Sequence, residues 1–415
     1  MPVVRLVPGV YREDVFMPRT AGIRTGIAGF VGFAARGPLN TPAMLTGWSD
    51  FERQFGGPLA GGYLWYAVRG YFDNGGQVCF VVRLADSARS AMDALCGGLT
   101  SLAAVDEVDL VCAPDIMRAD APGVPPRPIG SATEAVALLQ AAVLKHCDAL
   151  GDRFAILDSL PETEPEQVLE QRTAIARAIA NAGVPTCPPP REARPLTCTD
   201  GALYYPWLLV AKLVGAASEA LFVPPCGHLA GVFARTDREV GVHKAPANSR
   251  LEGIADVQHS VTDAEQARLN PFGVNCIRAL AGRGIRAWGA RTLSGDVAWR
   301  YINVRRLFLT AARWIQLNTA DIVFEPNSPM LWARIERDLT AYFDDLFRRG
   351  ALRGATSEEA FYVHCNASTN PPDVVGQGRM VTEVGLAPAL PNEFVVVRIV
   401  HGPAGVTISS PSPGG

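Results

Sequence analysis

The sequence predicts an α/β protein, and three observations carry that reading. Short apolar runs alternate with amphipathic helical patterns between about residues 88 and 266. Helix-opening signals (Ser131 with Glu134, Thr163 with Glu166) recur just before those helical patterns. Further strand-like runs lie on either side of this region, at Gly26–Phe33 and Val78–Arg83 before it and at Ala360–Cys365 and Phe394–Val400 after it.

In order, Val3–Val10 reads as an extended segment with no hairpin partner beside it, because Pro18 and Gly22 interrupt the neighbouring residues. Gly26–Phe33 reads as a buried strand, Trp48–Phe55 as a short helix stopped by Gly56 and Gly57, and Leu64–Phe72 as a second helix. Val78–Arg83, Val108–Cys112 and Phe154–Leu157 read as strands, and Leu203–Leu208 and Leu221–Pro224 are expected to extend the same sheet. Helices are expected from Ser131 to about Leu150 and from Thr163 to Gly183. Ser328-Pro329 opens a helix from about Met330 to Arg349. Its apolar stripe is Trp332, Ile335, Leu339, Phe343 and Leu346, and its other face carries Arg334, Arg337, Asp338, Asp344, Asp345 and Arg348. Ala360–Cys365 and Phe394–Val400 read as strands, and the Pro/Gly/Ser-rich tail from Gly402 to Gly415 as flexible.

A chain of 415 residues exceeds one simple core. The net charge of -3 argues against a dedicated nucleic-acid binder. Nine cysteines without a Cys-x-x-Cys pair read as reduced, buried residues of a protein made in the cytoplasm. The N-terminus lacks the apolar core of a signal peptide, and there is no run of 18 apolar residues, so membrane insertion is not expected.

Catalytic chemistry finds little support. Asp115, His228 and Ser218 could be imagined as a triad, but neither a Gly-x-Ser-x-Gly elbow nor a Gly-Thr-Ser turn is present. Cys226, His228 and His243 match no zinc spacing. Gly282-Arg-Gly284 lacks the strand–loop–helix context of a nucleotide loop, so no cofactor is expected. The densest stretch runs from Asn270 to Asn327 and holds Trp288, Trp299 and Trp314 among arginines and turn glycines. That composition fits an ordered structural surface.

A series of fragments then resembles the contractile tail sheath proteins of myophages, R-type bacteriocins and extracellular contractile injection systems. They are Pro8-Gly-Val-Tyr11, Phe30-Val-Gly32 with Arg36-Gly-Pro38, Phe51 to Gly57, and Phe72-Asp-Asn-Gly-Gly76 with Val81-Val-Arg83. Ala202 to Trp207, Pro224 to His228, Ala234 to Asp237 and Gly241 to Asn248 come next. Gly289-Ala-Arg-Thr-Leu293, Tyr301 to Arg306 and Phe324-Glu-Pro-Asn327 complete the series.

The resemblance implies a middle domain of subtilisin-like topology without protease function, beside an α+β domain built from the N- and C-terminal segments, with extended terminal strand arms. The expected divisions are an N-terminal arm (1–20), an N-terminal segment (21–88), the α/β domain (89–268), a C-terminal inner domain (269–393) and a C-terminal arm and tail (394–415). It further implies hexameric rings stacked around an inner tube, contraction without nucleotide hydrolysis, and baseplate and tail terminator proteins as partners. Val3, Val4, Leu6, Val7, Val10, Val395, Val396, Val397 and Ile399 would form the inter-subunit strand arms. Arg334, Arg337 and Arg348 would face the tube. Arg291, Arg305, Arg306 and Glu325 are expected in internal or inter-subunit pairs. The compact length favours an injection-system particle, assembled in the cytoplasm and then released, over a phage tail. An α/β peptidase and a tube-cap or baseplate protein of the same fold are the rival readings.

Overall fold

A computed structural model describes residues 22–85, 88, 90–118, 129–189, 199–211, 220–322, 324–391, 398–402 and 405–409. The arm residues Val3, Val4, Leu6, Val7, Val10, Val395, Val396 and Val397 lie outside them, as do Ser218 and Cys198.

The first strands are β1 (Ala28–Gly32) and β2 (Ala43–Leu45). Helices α1 (Trp48–Phe55) and α2 (Leu64–Asp73) follow, then β3 (Cys79–Arg83). Next come α3 (Ala91–Leu102), β4 (Leu110–Cys112), α4 (Ile129–Leu150), β5 (Phe154–Asp158), α5 (Pro165–Ala180) and β6 (Gly201–Tyr205). Strands β7 (Leu208–Ala211) and β8 (Ala220–Val223) precede α6 (Cys226–Glu239). Short strands β9 (Ser249–Arg250) and β10 (Asp256–Val257) lead to α7 (Asp263–Leu269) and the hairpin of β11 (Val274–Leu280) and β12 (Gly284–Trp288). Helix α8 (Ile302–Asn318) opens the last third. It is followed by α9 (Pro329–Arg348), α10 (Ser357–Ala360), β13 (Phe361–His364), α11 (Pro372–Gly376), β14 (Glu383–Leu386), β15 (Arg398–Gly402) and β16 (Gly405–Ser409).

Nine strands form one sheet in the order β2-β3-β1-β4-β5-β6-β11-β12-β9. From β3 to β11 every pairing is parallel, and the antiparallel strands lie at the two edges. Side-chain alternation divides the sheet into two buried faces. Val31, Val82, Val111, Ala155 and Leu157 pack under α3, α4 and α5 on one side. Phe30, Val81, Leu110, Phe154 and Ile156 pack under α1, α2 and α6 on the other. The glycines of α6 permit its close approach to α2: a Cβ on Gly227 would stand 2.1 Å from the carbonyl oxygen of Ala67.

A separate core holds the C-terminal part. Leu307, Ala311 and Trp314 of α8 pack against Leu331, Trp332, Ile335, Leu339 and Phe343 of α9, with Phe361 and Val363 of β13. The expected stripe on α9 is therefore the buried one; Leu346 is partly buried. Trp314 stacks on Tyr342 with ring centroids 3.9 Å apart.

Several expectations change. Leu221 belongs to β8, which pairs with β7 in a second sheet ordered β10-β7-β8, so this segment does not extend the main one. Ser131 lies inside α4, which begins two residues earlier at Ile129. The second capping box is Glu164 with Gln167, one residue beyond Thr163 and Glu166, because Pro165 takes the first helical position. Cys96 and Cys187 form a disulfide, whereas all nine cysteines were expected reduced; Cys79, Cys112, Cys147, Cys226, Cys276 and Cys365 are free and buried. The tail expected to be flexible contains β16, paired with β15, in which Ile399 lies opposite Ile408. The main sheet also crosses the boundaries drawn at 88/89 and 268/269, since β1 to β3 and the β11–β12 hairpin all belong to it.

Candidate functional site

Helix α8 joins the sheet to the C-terminal core, and its arginines make the connection. Arg305 and Arg306 are adjacent in sequence, so the helix aims them about 100° apart. Arg306 is buried at 3% exposure. One of its nitrogens donates to Asp109 at 2.8 Å, and the fork grips Asp237 of α6 at 2.8 and 2.6 Å. Arg305 pairs with the buried Asp200 at the start of β6 and stacks over Trp299 at 4.8 Å. Arg313, two turns further along α8, donates to the carbonyl oxygens of Asp106 and Glu107 at 2.8 and 3.2 Å.

Asp109 is the hub of this arrangement. Its carboxylate accepts the amides of Gly26 and Ile27 at 3.0 and 2.7 Å, so it fixes the entry to β1 as well as α8. Burial disfavours the charged form of Arg306, but Asp237 and Asp109 more than offset this, and its pKa rises above the ordinary arginine value. The same burial raises the pKa of Asp237 and of Asp200, with Arg306 and Arg305 opposing it.

Arg291 and Glu325 have different surroundings. The Arg291 backbone amide donates to Asn275 at 2.7 Å and its side chain to the carbonyl of Asn270 at 3.1 Å. Glu325 pairs with Arg334 at 3.2 Å on the surface. Arg334 also meets Asp321 at 2.9 Å, Arg337 meets Asp338 at 3.0 Å, and Arg348 meets Asp344 at 2.5 Å. The outer face of α9 is thus an exposed lattice of intrahelical and neighbouring ion pairs, each of small energetic weight.

Asp115, considered as a catalytic acid, serves as a backbone anchor. Asp115 accepts the amides of Phe33 and Tyr63, each at 2.6 Å, and burial raises its pKa to about 6. Asp158, at the end of β5, accepts the Cys226 amide at 2.8 Å, and burial raises its pKa to about 7. Two helix N-termini, of α2 and α6, are therefore seated on buried carboxylates. His228 is buried against Gly70, and loss of solvation lowers its pKa to about 4. His243 is half-buried, and the same effect lowers its pKa. Glu164, His259 and Glu265 form the one three-residue group among the described residues that could hold a metal ion. Both carboxylates are already engaged there as helix caps.

In the C-terminal part, β13 and β14 form a two-stranded antiparallel sheet, and neither strand has another strand partner among the described residues. The chain therefore presents a buried ionic joint, a charged outer helix and a two-stranded sheet with no further strand partner among the described residues. These are the parts of a structural, assembly-type α/β protein.

The comparisons agree in kind. The family model described as phage tail sheath protein central domain matches residues 119–293, and phage tail sheath C-terminal domain matches 294–401. The helical sheath of the anti-feeding prophage in its contracted state aligns with a TM-score of 0.71 at 30% identity, over 96% of this chain and 100% of that one. The contracted PVC sheath of an extracellular contractile injection system aligns at 0.68 and 26% identity, over 97% and 99%. The tail sheath protein of Salmonella phage ViI is 28% identical over 171 residues, 40% of this chain and 26% of that relative's length. The chain belongs to the contractile tail sheath family. In sequence, the Tyr301–Arg306 fragment pointed to this joint. Asp237 belongs to the Ala234–Asp237 fragment but nothing in sequence linked it to Arg306, and Asp109 carried no signal, because the partner of each lies far along the chain.

Proposed function

We propose that this chain is the structural subunit of a contractile sheath. It polymerises as stacked hexameric rings around an inner tube and contracts to drive the tube through a target envelope. No nucleotide is consumed: the free energy is stored in the extended lattice at assembly. The reading rests chiefly on the alignment with the contracted anti-feeding prophage sheath, which covers all of that subunit at 30% identity.

Several features support the finer parts. The parallel strands β4, β5 and β6, with helices on both faces, fit a subtilisin-like topology for 89–268, and the use of Asp115 as a buried backbone anchor fits a non-enzymatic role. Of 269–393, the core built on α8, α9 and β13 would form the inner domain, while the β11–β12 hairpin and strands β1 to β3 of 21–88 are part of the main sheet. The outer edges of β13 and β14, which have no further strand partner among the described residues, would accept arms from neighbouring subunits, 1–20 on one side and 394–415 on the other. Each added backbone hydrogen bond contributes about 1 kcal/mol net. Arg334, Arg337 and Arg348 would meet the tube by exchanging their surface carboxylates for those of the partner. Baseplate and tail terminator proteins would close the ends. Full-length coverage of compact injection-system sheaths favours such a particle, assembled in the cytoplasm and then released, over a phage tail.

Expression followed by negative-stain microscopy tests this. Hollow, ridged cylinders are expected, and a chain lacking residues 1–12 should stay folded but form no long sheaths. Single particles from the intact chain with its tube protein, or normal cylinders after the deletion, would overturn the reading.

A further inference from the structure

Three arginines stand in register across the edge of the main sheet. Arg278 of β11 is opposite Arg286 of β12, and Arg286 is opposite Arg250 of β9. Directly opposed residues share a face, and like charges in such pairs repel. One more arginine joins them: Arg283, in the hairpin turn, donates at 2.9 Å to the Asn248 side chain, which Arg286 also approaches.

The fold neutralises only the two ends of this ladder. Arg278 meets Asp263 at 2.7 Å, and Arg250 meets Glu252 at 3.4 Å. The central rung does not meet a carboxylate among the described residues. Arg286 donates instead to the carbonyls of Arg283 and Asn248, at 3.0 and 2.6 Å. Arg250, Arg283 and Asn248 are exposed, and Arg286 is half-buried. Four guanidinium groups (Arg250, Arg278, Arg283, Arg286) thus share two carboxylates along a sheet edge that ends in a strand of only two residues.

We infer that this arginine ladder is a docking surface for carboxylates of a second copy of the same chain. Charge complementarity favours that occupant. The chain has 38 basic and 41 acidic side chains, so with the ladder and its two acids set aside the remainder holds 34 and 39. The surplus of acid needed to fill the ladder is carried by the chain itself. Guanidinium forks on a rigid sheet edge match carboxylates in paired geometry. Contact between unlike patches is heterologous, and such contacts generate rings or helical stacks. The identity of the partner rests on the sheath reading; the repulsion within the ladder does not.

The test uses full-length Arg286→Lys, made both with and without 15N labelling, mixed before assembly and treated with a carbodiimide. This reagent joins a lysine amine to a touching carboxylate with loss of water. Mass spectrometry should find the introduced lysine joined to an Asp or Glu of the other isotope, and Arg286→Glu and Arg283→Glu should remain folded by circular dichroism while losing pelletable polymer. Cross-links confined to one copy, or charge-reversed variants that polymerise as the original does, would overturn the inference. A wild-type chain that forms oligomers other than sheaths would sink the sheath reading alone, because cross-links between copies would still report on the ladder.

Discussion

Arg306 donates a 2.8 Å hydrogen bond to Asp109, a residue 197 positions earlier in the chain. Both are buried, and Asp237 completes the trio. Removing the guanidinium would leave two carboxylates in a water-poor site. Arg306→Ala is therefore expected to destabilise the subunit by about 3–5 kcal/mol, seen as a lower denaturant midpoint with an unchanged slope. Arg305→Ala leaves the single acid Asp200, beside a partly exposed position, and should cost less. An Arg306→Ala midpoint equal to that of the parent would show that the joint carries no net stability.

The buried carboxylates give a pH dependence of unusual sign. Asp158 and Asp115 have pKa values raised by burial to about 7 and about 6, above the ordinary aspartate value of 3.8. The folded state therefore binds protons more readily than the unfolded one. Their stabilising contribution is full below about pH 4 and is lost as pH rises through the two folded-state values. Asp158→Asn should stabilise the subunit by about 1–2 kcal/mol at about pH 8 and by progressively less towards about pH 4. Urea titrations at the two pH values would check this; a constant offset across the range would refute it.

Gly227 marks the closest approach of α6 to α2. A Cβ there would lie 2.1 Å from the Ala67 carbonyl oxygen and 2.4 Å from its Cα, and backbone atoms cannot turn aside as a side chain can. Gly227→Ala is expected to cost about 1–3 kcal/mol, despite the better helix propensity of alanine. A thermal melt at or above that of the parent would mean that the two helices can separate without penalty.

On α9, the triple variant Arg334→Glu, Arg337→Glu and Arg348→Glu should leave subunit stability within about 1 kcal/mol, because these pairs are exposed. If the helix faces the tube, the same variant should give sheaths that contract without a trigger or fail to form on tubes. Extended, tube-filled sheaths by microscopy would exclude this face from the contact.

Much of the fold was legible because its signals were local. The apolar runs of β1, β3, β4 and β5 and the stripe of α9 follow from periodicity alone, and the structure places them as buried elements. What escaped was non-local. Two-residue strands such as β9 and β10 bear no pattern of their own and exist through their neighbours. The Leu221 segment reads as a core strand, but its partner is β7 rather than β6. The candidate site divides the same way. Arg305 and Arg306 stood out as an arginine pair, whereas their acids, Asp200, Asp109 and Asp237, are spread through the preceding sequence.

The shared carboxylate of Asp109 has a mechanical consequence. It grips the two amides that begin β1 and, on the same carboxylate, the guanidinium of α8. A pull arriving at Gly26 and part of a pull carried by α8, which Asp200, Asp237 and the Asp106 and Glu107 carbonyls also hold, meet at this one side chain, beside interior strand β4. On the sheath reading, a load passed between these parts would enter the nine-stranded sheet at an interior strand, away from either edge.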